Sequence, residues 1–265
     1  MLGLPDGVTA CLFDMDGVVT QTAVVHAAAW KEMFDEFLRE YAKKTGTEFV
    51  PFDSHDYDEY VDGRPRLDGT RSFLESRDIH LPEGSPDDKP GTPTLNGLSN
   101  QKNDLVLAKI ASGGVKVYDG TIRYIRAVRA AGIHTAIVSA SANTVQVLKV
   151  AGIADLFDVR VDGVIAKERG LHGKPAPDTF LFAAEELKVP ANQAVVFEDA
   201  QSGVAAGHAG HFALVVGVDR VGQAEQLKQH GADIVVKDVA ELLDKDGLDK
   251  DGLDKDGLDK DGDAR

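Results

Sequence analysis

Apolar residues from position 115 onward occur in two alternating patterns. Short uninterrupted apolar runs predict strands that are buried on both faces. Between them, apolar residues recur at helical spacing and predict helices. The strands are expected at 134–138, 194–197, 212–216 and 234–236. The helices are expected at 144–151, 177–187, 201–209 and 223–230.

Residues 8–13 form one more buried-strand run, separated from the others by a long segment of another character. That segment contains a strongly periodic helix at 22–41, a polar and broken stretch, and shorter helices expected at 67–76 and 104–111. Gly113-Gly114 then resembles a hinge. Alternating strands and helices are typical of a doubly wound sheet. We therefore predict an α/β fold, with a Rossmann-like parallel sheet core and an inserted α-helical cap domain.

The predicted boundaries are 1–19 for the first part of the core, 20–114 for the cap, 115–243 for the rest of the core and 244–265 for a tail. In the tail the unit Asp-Lys-Asp-Gly-Leu recurs, with nine aspartates against four lysines and one arginine. A calcium loop of the EF-hand type needs glycine at its sixth position and glutamate at its twelfth, which this repeat does not supply. We expect a disordered acidic tail, with calcium binding as the alternative.

Composition excludes some classes of function. The net charge of −15 argues against a nucleic-acid surface, although a few local cations are enough to bind a phosphorylated small molecule. The single cysteine, Cys11, lies in an apolar run, so we expect core packing and a reducing compartment. The sequence has no basic-plus-apolar leader and no apolar run of membrane-spanning length. We expect a cytoplasmic monomer.

Asp14 and Asp16 follow the first predicted strand directly, and Gly17 comes next. Ligands of open α/β sheets bind beyond the carboxyl ends of the strands, where both carboxylates would lie. Two like charges so close favour either a bound divalent cation or a nucleophile beside an acid/base group. The alternative without function is an Asp-Gly turn at the end of a strand.

Further polar groups are expected at the same edge of the sheet. The run Ser139-Ala140-Ser141-Ala142-Asn143 precedes a helix, where hydroxyls and backbone N–H groups form a phosphate cradle or cap the helix. Lys174 lies in a Pro-rich loop before a helix, where it faces an anion or simply the solvent. Glu198 and Asp199 end another buried strand, and one or both could complete an oxygen cage for Mg²⁺. We expect all these groups at strand ends on one rim.

Together these motifs resemble the haloacid dehalogenase-like phosphotransferase superfamily over residues 1 to about 243. The resemblance implies that Asp14 is the nucleophile that forms an aspartyl phosphate. Asp16 would be the general acid/base, and its backbone carbonyl would also reach Mg²⁺. Ser139 and Lys174 would hold the transferring phosphoryl oxygens, with Ala140, Ser141 and Asn143 in the same cradle. The metal ligands implied are Asp14, Asp16, Glu198 and Asp199.

The cap resembles that of the β-phosphoglucomutase-like family. Residues 20–31 are similar to its hinge and first cap helix, with Thr22 as N-cap and with His26 and Trp30 one turn apart. The helical spacing alone favours the alternative that this is a capped core helix in which His26 is only hydrogen-bonded. Gly63-Arg64-Pro65-Arg66-Leu67-Asp68 resembles the cap loop whose arginine binds the non-transferring phosphate. Asn100-Gln101-Lys102-Asn103-Asp104 resembles the Arg-Lys-Asn-Asp segment of that family.

The chain also departs from that family. Ala142 stands where a lysine is usual beside the second phosphate, Gln21 replaces an aspartate and Gly69 a serine. The cap is longer around 41–57 and 77–96.

Three functions remain open. They are a mutase that interconverts β-glucose 1-phosphate and glucose 6-phosphate, a sugar-phosphate phosphatase, and a non-catalytic metal- or partner-binding protein. Arg66 is the better candidate for binding the second phosphate, because a guanidinium can bind phosphate bidentately, and this favours the mutase. We expect a small sugar phosphate as partner and neither nucleic acid nor membrane.

Overall fold

A computed structural model describes residues 2–243. The acidic repeat at 244–265, predicted to be disordered, lies outside the described residues. In chain order the strands and helices are β1 (Ala10–Phe13), α1 (Ala23–Thr45), α2 (Ser54–Asp56), α3 (Arg66–Ser76), α4 (Leu95–Gly113), α5 (Asp119–Ala130), β2 (His134–Val138), α6 (Thr144–Ala151), β3 (Val159–Val161), α7 (Gly163–Arg169), α8 (Asp178–Glu186), β4 (Ala194–Glu198), α9 (Gln201–Ala209), β5 (Leu214–Val218), α10 (Ala224–Gln229) and β6 (Ile234–Val236). A π-helical turn at Tyr57–Val61 and 3₁₀ turns at Ala154–Leu156, Ala191–Gln193 and Val239–Leu242 complete the described elements.

The six strands form one parallel sheet in the order β3-β2-β1-β4-β5-β6. This topology confirms the predicted doubly wound α/β class. β1 lies at the centre and is fully buried, because it pairs with β2 on one side and with β4 on the other. The register places Phe13 beside Ile137 and Phe197. The carboxyl ends of β1, β2 and β4 therefore meet at one edge of the sheet.

Side chains alternate between the two faces of the sheet. On one face Leu12 and Val196 pack in a cluster with Phe180 of α8. On the other face Phe13 stacks on Phe197, with ring centroids 4.5 Å apart, and Tyr124 of α5 packs against both rings. Apolar burial on both faces holds the central strand rigidly, so the residues that follow it start from a fixed backbone.

The described chain divides into two compact units. One unit is the continuous segment Thr22–Val115, and the other combines the residues up to Gln21 with those from Lys116 onward. The first of these units is held together by an aromatic cluster. Phe34 of α1 contacts the rings of Trp30, Phe52 and Phe73 at centroid distances of 5.2, 5.1 and 4.2 Å. These rings bury one face of α1 against α3 and the segment before α2.

Several predicted element bounds need correction. Helix α1 continues to Thr45 rather than ending at 41, and Thr22 at its N-cap position makes no side-chain capping bond. Helix α4 begins at Leu95, not at 104, because Thr94 accepts the Gly97 N–H at 2.9 Å and caps it. Strand β5 begins two residues later than predicted, at Leu214. Helices α5 and α7 and strand β3 were absent from the prediction.

Within residues 2–243, no helix combines the length and the apolar content needed to cross a membrane.

Candidate active site

The segment after β1 is a closed loop, residues 14–20, here called the aspartate loop. Asp14 still belongs to the sheet ladder, since its N–H donates to the Phe197 carbonyl at 2.9 Å. Thr20 closes the loop, because its N–H and its hydroxyl both donate to the Met15 carbonyl, at 2.8 and 3.0 Å. Gly17 N–H donates to the Thr20 carbonyl at 2.7 Å. These bonds fix the backbone on which both aspartates stand.

Asp14, Glu198 and Asp199 form an acid cluster at the shared end of β1 and β4. All three are buried, and one carboxylate oxygen of each lies within 4.8 Å of the others. The Glu198 carboxylate also accepts the Ala200 N–H at 2.8 Å. Gly17 allows Asp199 to approach the aspartate loop, because its φ is +97° and any Cβ there would overlap the Asp199 carboxylate. The Asp16 carboxylate is not a member of this cluster.

Lys174 contributes the positive charge of the cluster. Its buried ammonium donates to Asp14 Oδ1 and, at 2.5 Å, to Glu198 Oε1. Its Nζ lies over the ring of Phe180, 4.9 Å from the ring centroid. The expectation that every group follows a strand is wrong for this lysine, because its loop joins helices α7 and α8. A rigid Pro-containing loop, rather than a strand, carries it to the rim.

Burial and charge shift the protonation of the cluster in opposite ways. Burial raises the pKa of Asp14 well above its ordinary value, and the nearby charges of Glu198 and Asp16 raise it further, while Lys174 opposes both. Burial alone would lower the pKa of Lys174, but the charges of Asp14 and Glu198 raise it overall. Lys174 is therefore an ammonium at neutral pH.

The acid cluster fits a divalent metal ion. Three carboxylates against one ammonium leave a net charge of −2 when all are ionised, in a site with little solvent to screen it. The donors are hard carboxylate oxygens, which suit hard cations rather than soft transition metals. A bound divalent cation would neutralise the excess negative charge.

Ser139, Ala140, Ser141 and Asn143 lie after β2, at the same edge of the sheet. The Ser139 N–H donates to the Val161 carbonyl at 2.9 Å, so this residue still follows the sheet ladder. Its hydroxyl accepts the Ser141 N–H at 3.1 Å, and the Ser141 hydroxyl accepts the Asn143 N–H at 3.1 Å. These bonds curl the backbone into the first turn of α6.

Three of the sequence-predicted cap residues meet within the unit Thr22–Val115. The Lys102 ammonium on α4 donates to His26 Nδ1 on α1 at 3.0 Å and lies 4.7 Å from the centroid of the Trp30 ring. When Lys102 is an ammonium it can only donate, so His26 Nδ1 is then the acceptor of this bond. Lys102 itself is only 5% exposed. The contacts with His26 and Trp30 fix the position of the Lys102 amino group.

The remaining predicted cap residues, Thr22, Arg66 and Asn103, belong to the same unit. Arg66 is the first residue of α3, and burial lowers the pKa of its guanidinium while the charge of Asp104 on α4 opposes that shift. Asn103 lies on α4 beside Lys102, half-buried. Thr22 is buried directly before α1. Residues 100–103, which precede the helix expected at 104–111, are themselves helical.

Two residues near the acid cluster were missed from the sequence. Arg220 donates to the Gly17 carbonyl at 2.9 Å, and Gln223 donates to the Asp199 carbonyl at 2.9 Å. Both lie in the loop after β5, which ends at the same edge of the sheet. The available signal was position alone, since polar residues that follow a predicted strand reach this rim.

Comparison with known proteins agrees with this geometry. Residues 8–211 match the haloacid dehalogenase-like hydrolase family. The chain is 56% identical to the β-phosphoglucomutase of Mycobacterium bovis, over 92% of this chain and 94% of that protein. It is 30% identical to the β-phosphoglucomutase of Bacillus subtilis, over 88% and 91% of the two chains. The crystal structure of the Clostridium difficile β-phosphoglucomutase superposes with a TM-score of 0.68 at 27% identity, covering 89% of this chain and 93% of that one.

The chain therefore belongs to the haloacid dehalogenase-like hydrolase family, in its β-phosphoglucomutase-like branch.

Proposed function

We propose that the protein is a β-phosphoglucomutase, which converts β-D-glucose 1-phosphate to D-glucose 6-phosphate through the 1,6-bisphosphate. The observation that carries the proposal is the contact of Lys174 with Asp14 inside the buried acid cluster. A carboxylate beside a fixed ammonium, at the end of a central strand, is a nucleophile prepared for a phosphoryl group. The 56% identity to a β-phosphoglucomutase over 94% of its length supports the same reaction.

Asp14 is the nucleophile in this proposal, and Asp16 is the general acid/base. An Asp14 oxygen forms a bond to phosphorus as the bond from phosphorus to the sugar oxygen breaks, and Asp16 supplies the proton that the leaving oxygen takes up. In the second half-reaction Asp16 accepts the proton of the sugar hydroxyl that attacks the aspartyl phosphate. The closed aspartate loop supports these two roles, because it holds the Asp14 carboxylate inside the acid cluster and the Asp16 carboxylate outside it.

The transferring phosphoryl group is bound by Lys174 and the loop after β2. The Lys174 ammonium neutralises charge on its oxygens, while Ser139 and Ser141 offer hydroxyls, and Ala140 and Asn143 lie in the same backbone cradle. Such transfer depends chiefly on positioning and on charge neutralisation, so fixed donors at a rigid sheet edge are the groups required.

Mg²⁺ is the cofactor that we propose. Asp14, Glu198 and Asp199 would hold it with their carboxylates, and Asp16 through its backbone carbonyl. Few protein ligands with room for phosphate oxygens are typical of Mg²⁺ sites. The bound ion would withdraw charge from the phosphoryl oxygens.

The cap residues bind the sugar and the phosphate that is not being transferred. Arg66 is assigned to that phosphate because a guanidinium binds phosphate bidentately. Lys102, already fixed by His26 and Trp30, supplies a second cation. Thr22 and Asn103 complete the polar set. A phosphatase needs no grip on a second phosphate, so these cations favour the mutase.

A sugar-phosphate phosphatase is the second candidate, because Ala142 stands where the family usually has a lysine for the second phosphate. A ³¹P NMR time course separates the two. With β-glucose 1-phosphate, Mg²⁺ and a trace of the 1,6-bisphosphate, we expect glucose 6-phosphate to accumulate. Accumulation of free phosphate instead would contradict the mutase and support the phosphatase.

A further inference from the structure

The loop after β5, residues 219–223, is tightly folded around one carboxylate. Asp219 Oδ1 accepts the N–H groups of Val221, Gly222 and Gln223, at 3.2, 2.6 and 2.8 Å. The Asp219 N–H itself donates to the Val236 carbonyl of β6 at 2.8 Å. A loop closed by its own hydrogen bonds and bonded to the neighbouring strand is rigid. The backbone positions from which its side chains extend are therefore fixed.

Arg220 extends from this loop to the aspartate loop. Its Nε donates to the Gly17 carbonyl at 2.9 Å, and its Nη1 donates to the Lys237 carbonyl at 2.8 Å. The guanidinium lies 3.6 Å from the centroid of the Tyr118 ring and 3.4 Å from Asp238 Oδ2. Since the side chain is only 14% exposed, few solvent molecules compete for these bonds.

Two further donors, Thr121 and Tyr118, bond the backbone of the aspartate loop. Thr121, at the start of α5, donates its hydroxyl to the Val18 carbonyl at 2.8 Å. The Tyr118 N–H donates to the Val19 carbonyl at 3.0 Å. Three successive carbonyls of the aspartate loop, from Gly17 to Val19, thus have fixed donors. Arg220 donates to the first of these carbonyls, that of the residue directly after Asp16.

Gln223 makes the equivalent contact to the other acidic segment. Its Nε2 donates to the Asp199 carbonyl at 2.9 Å, and Gln201 lies 3.5 Å from its Oε1. Gln223 is only 9% exposed. One rigid loop therefore bonds the backbone beside Asp16 and the backbone of Asp199, the two segments that meet where Gly17 faces the Asp199 carboxylate.

We propose that Arg220 and Gln223 are positioning residues for phosphoryl transfer, which hold the aspartate loop and the Asp199 segment at a fixed separation. The inference rests on the proposed function. Arg220 donates to the carbonyl of Gly17, the residue after Asp16, and Gln223 donates to the carbonyl of Asp199 itself. Displacement of about 1 Å in a reacting group costs roughly a hundredfold in rate, so a small shift of either segment is measurable.

The Arg220→Ala variant tests the first contact, with Arg126→Ala, an exposed arginine of α5, as matched control. With acetyl phosphate as substrate, we expect kcat to fall by roughly tenfold or more while KM changes less than about twofold. Added guanidinium ion should restore part of kcat in Arg220→Ala and none in the control. If Arg220→Ala does not fold, Arg220→Lys, which keeps the charge and one donor, carries the same comparison.

The Gln223→Leu variant tests the second contact, with Gln226→Leu, on the exposed face of α10, as control. Isothermal titration with Mg²⁺ should give a dissociation constant raised by roughly tenfold for Gln223→Leu and unchanged for Gln226→Leu. This readout requires no turnover. If the wild type failed to convert β-glucose 1-phosphate, the proposed function would be contradicted. The comparison of Mg²⁺ affinities would still test the role of Gln223.

Two results would overturn the inference. One is a folded Arg220→Ala protein with wild-type kcat, and the other is wild-type Mg²⁺ affinity in Gln223→Leu. A purely structural role would lower the melting temperature of both variants but leave kcat and Mg²⁺ affinity of the folded fraction unchanged. That pattern would also contradict a positioning role.

Discussion

The Lys174 ammonium donates to the Asp14 carboxylate across 160 positions of sequence. Asp14 ends the central strand, whereas Lys174 comes from a loop between two helices. Both side chains are buried, so neither charge is satisfied by water if the other is removed. The ion pair therefore joins the end of the central strand to the loop between α7 and α8.

Replacing Lys174 by methionine should destabilise the protein by about 3 kcal/mol, because it leaves buried carboxylates without a cation. The Lys149→Met variant, at an exposed position of α6, is the control. Urea unfolding in the presence of a chelator measures the difference.

That loss of stability should depend on pH. Without Lys174 the pKa of Asp14 in the folded protein stands even further above its unfolded value, so the native state binds more protons than the unfolded state. Such a group stabilises the fold at low pH and loses that contribution as pH rises. The deficit of Lys174→Met should therefore be smaller at pH 5 than at pH 8. An equal deficit at both would contradict the assignment of buried, uncompensated carboxylates.

Removal of Arg66 should separate the two candidate activities. A lost guanidinium–phosphate contact costs on the order of 2–4 kcal/mol. Arg66→Ala should then reduce conversion of β-glucose 1-phosphate by roughly a hundredfold or more. Hydrolysis of acetyl phosphate, which has no second end to bind, should change little. Lys102→Ala should behave similarly but more mildly, since an ammonium is less directional.

The control is Arg64→Ala, two residues away, whose guanidinium donates to the Glu59 carbonyl at 3.3 Å. It should alter neither activity appreciably. Parallel losses on both substrates in Arg66→Ala, or no loss on either, would contradict the role of Arg66 as ligand of the second phosphate.

Much of the fold could be predicted because its signals are local. The buried strands are short apolar runs, and Asp14 and Glu198 stand where those runs end. Helix α7 gave no such signal, since none of its residues is buried, and β3 has three residues with an arginine at its centre. The first turns of α4 contain asparagine, glycine and serine, which are weak helix formers, so tertiary packing overrides propensity there.

Some residues of the candidate site could likewise be placed from local sequence signals, and others could not. Carboxylates that follow strands could be placed at the rim from the sequence, but no local pattern indicates that Lys174 reaches Asp14. Arg220 and Gln223 were missed because they bond backbone carbonyls. A backbone acceptor leaves no residue type in the sequence to mark the contact. Helix α5 could have been predicted, since Ile122, Ile125 and Val128 recur at helical spacing.

Deletion of residues 244–265 should leave activity and melting temperature nearly unchanged, because the repeat has too little apolar content to pack on the protein. Thermal unfolding of the full and shortened chains, with and without millimolar Ca²⁺, tests this expectation. A rise in melting temperature with Ca²⁺ in the full chain alone would favour the calcium alternative.

The most direct test of the central claim is phosphorylation of Asp14. After incubation with acetyl phosphate and Mg²⁺, the intact mass of the wild type should increase by one phosphoryl group, which hydroxylamine removes. Asp155→Asn, an exposed control, should behave like the wild type. Asp14→Asn should remain folded, acquire no phosphoryl group and lose several orders of magnitude in turnover, because an amide is not a nucleophile towards phosphorus. A labelled Asp14→Asn protein, or one that turns over at nearly the wild-type rate, would contradict the aspartyl-phosphate mechanism.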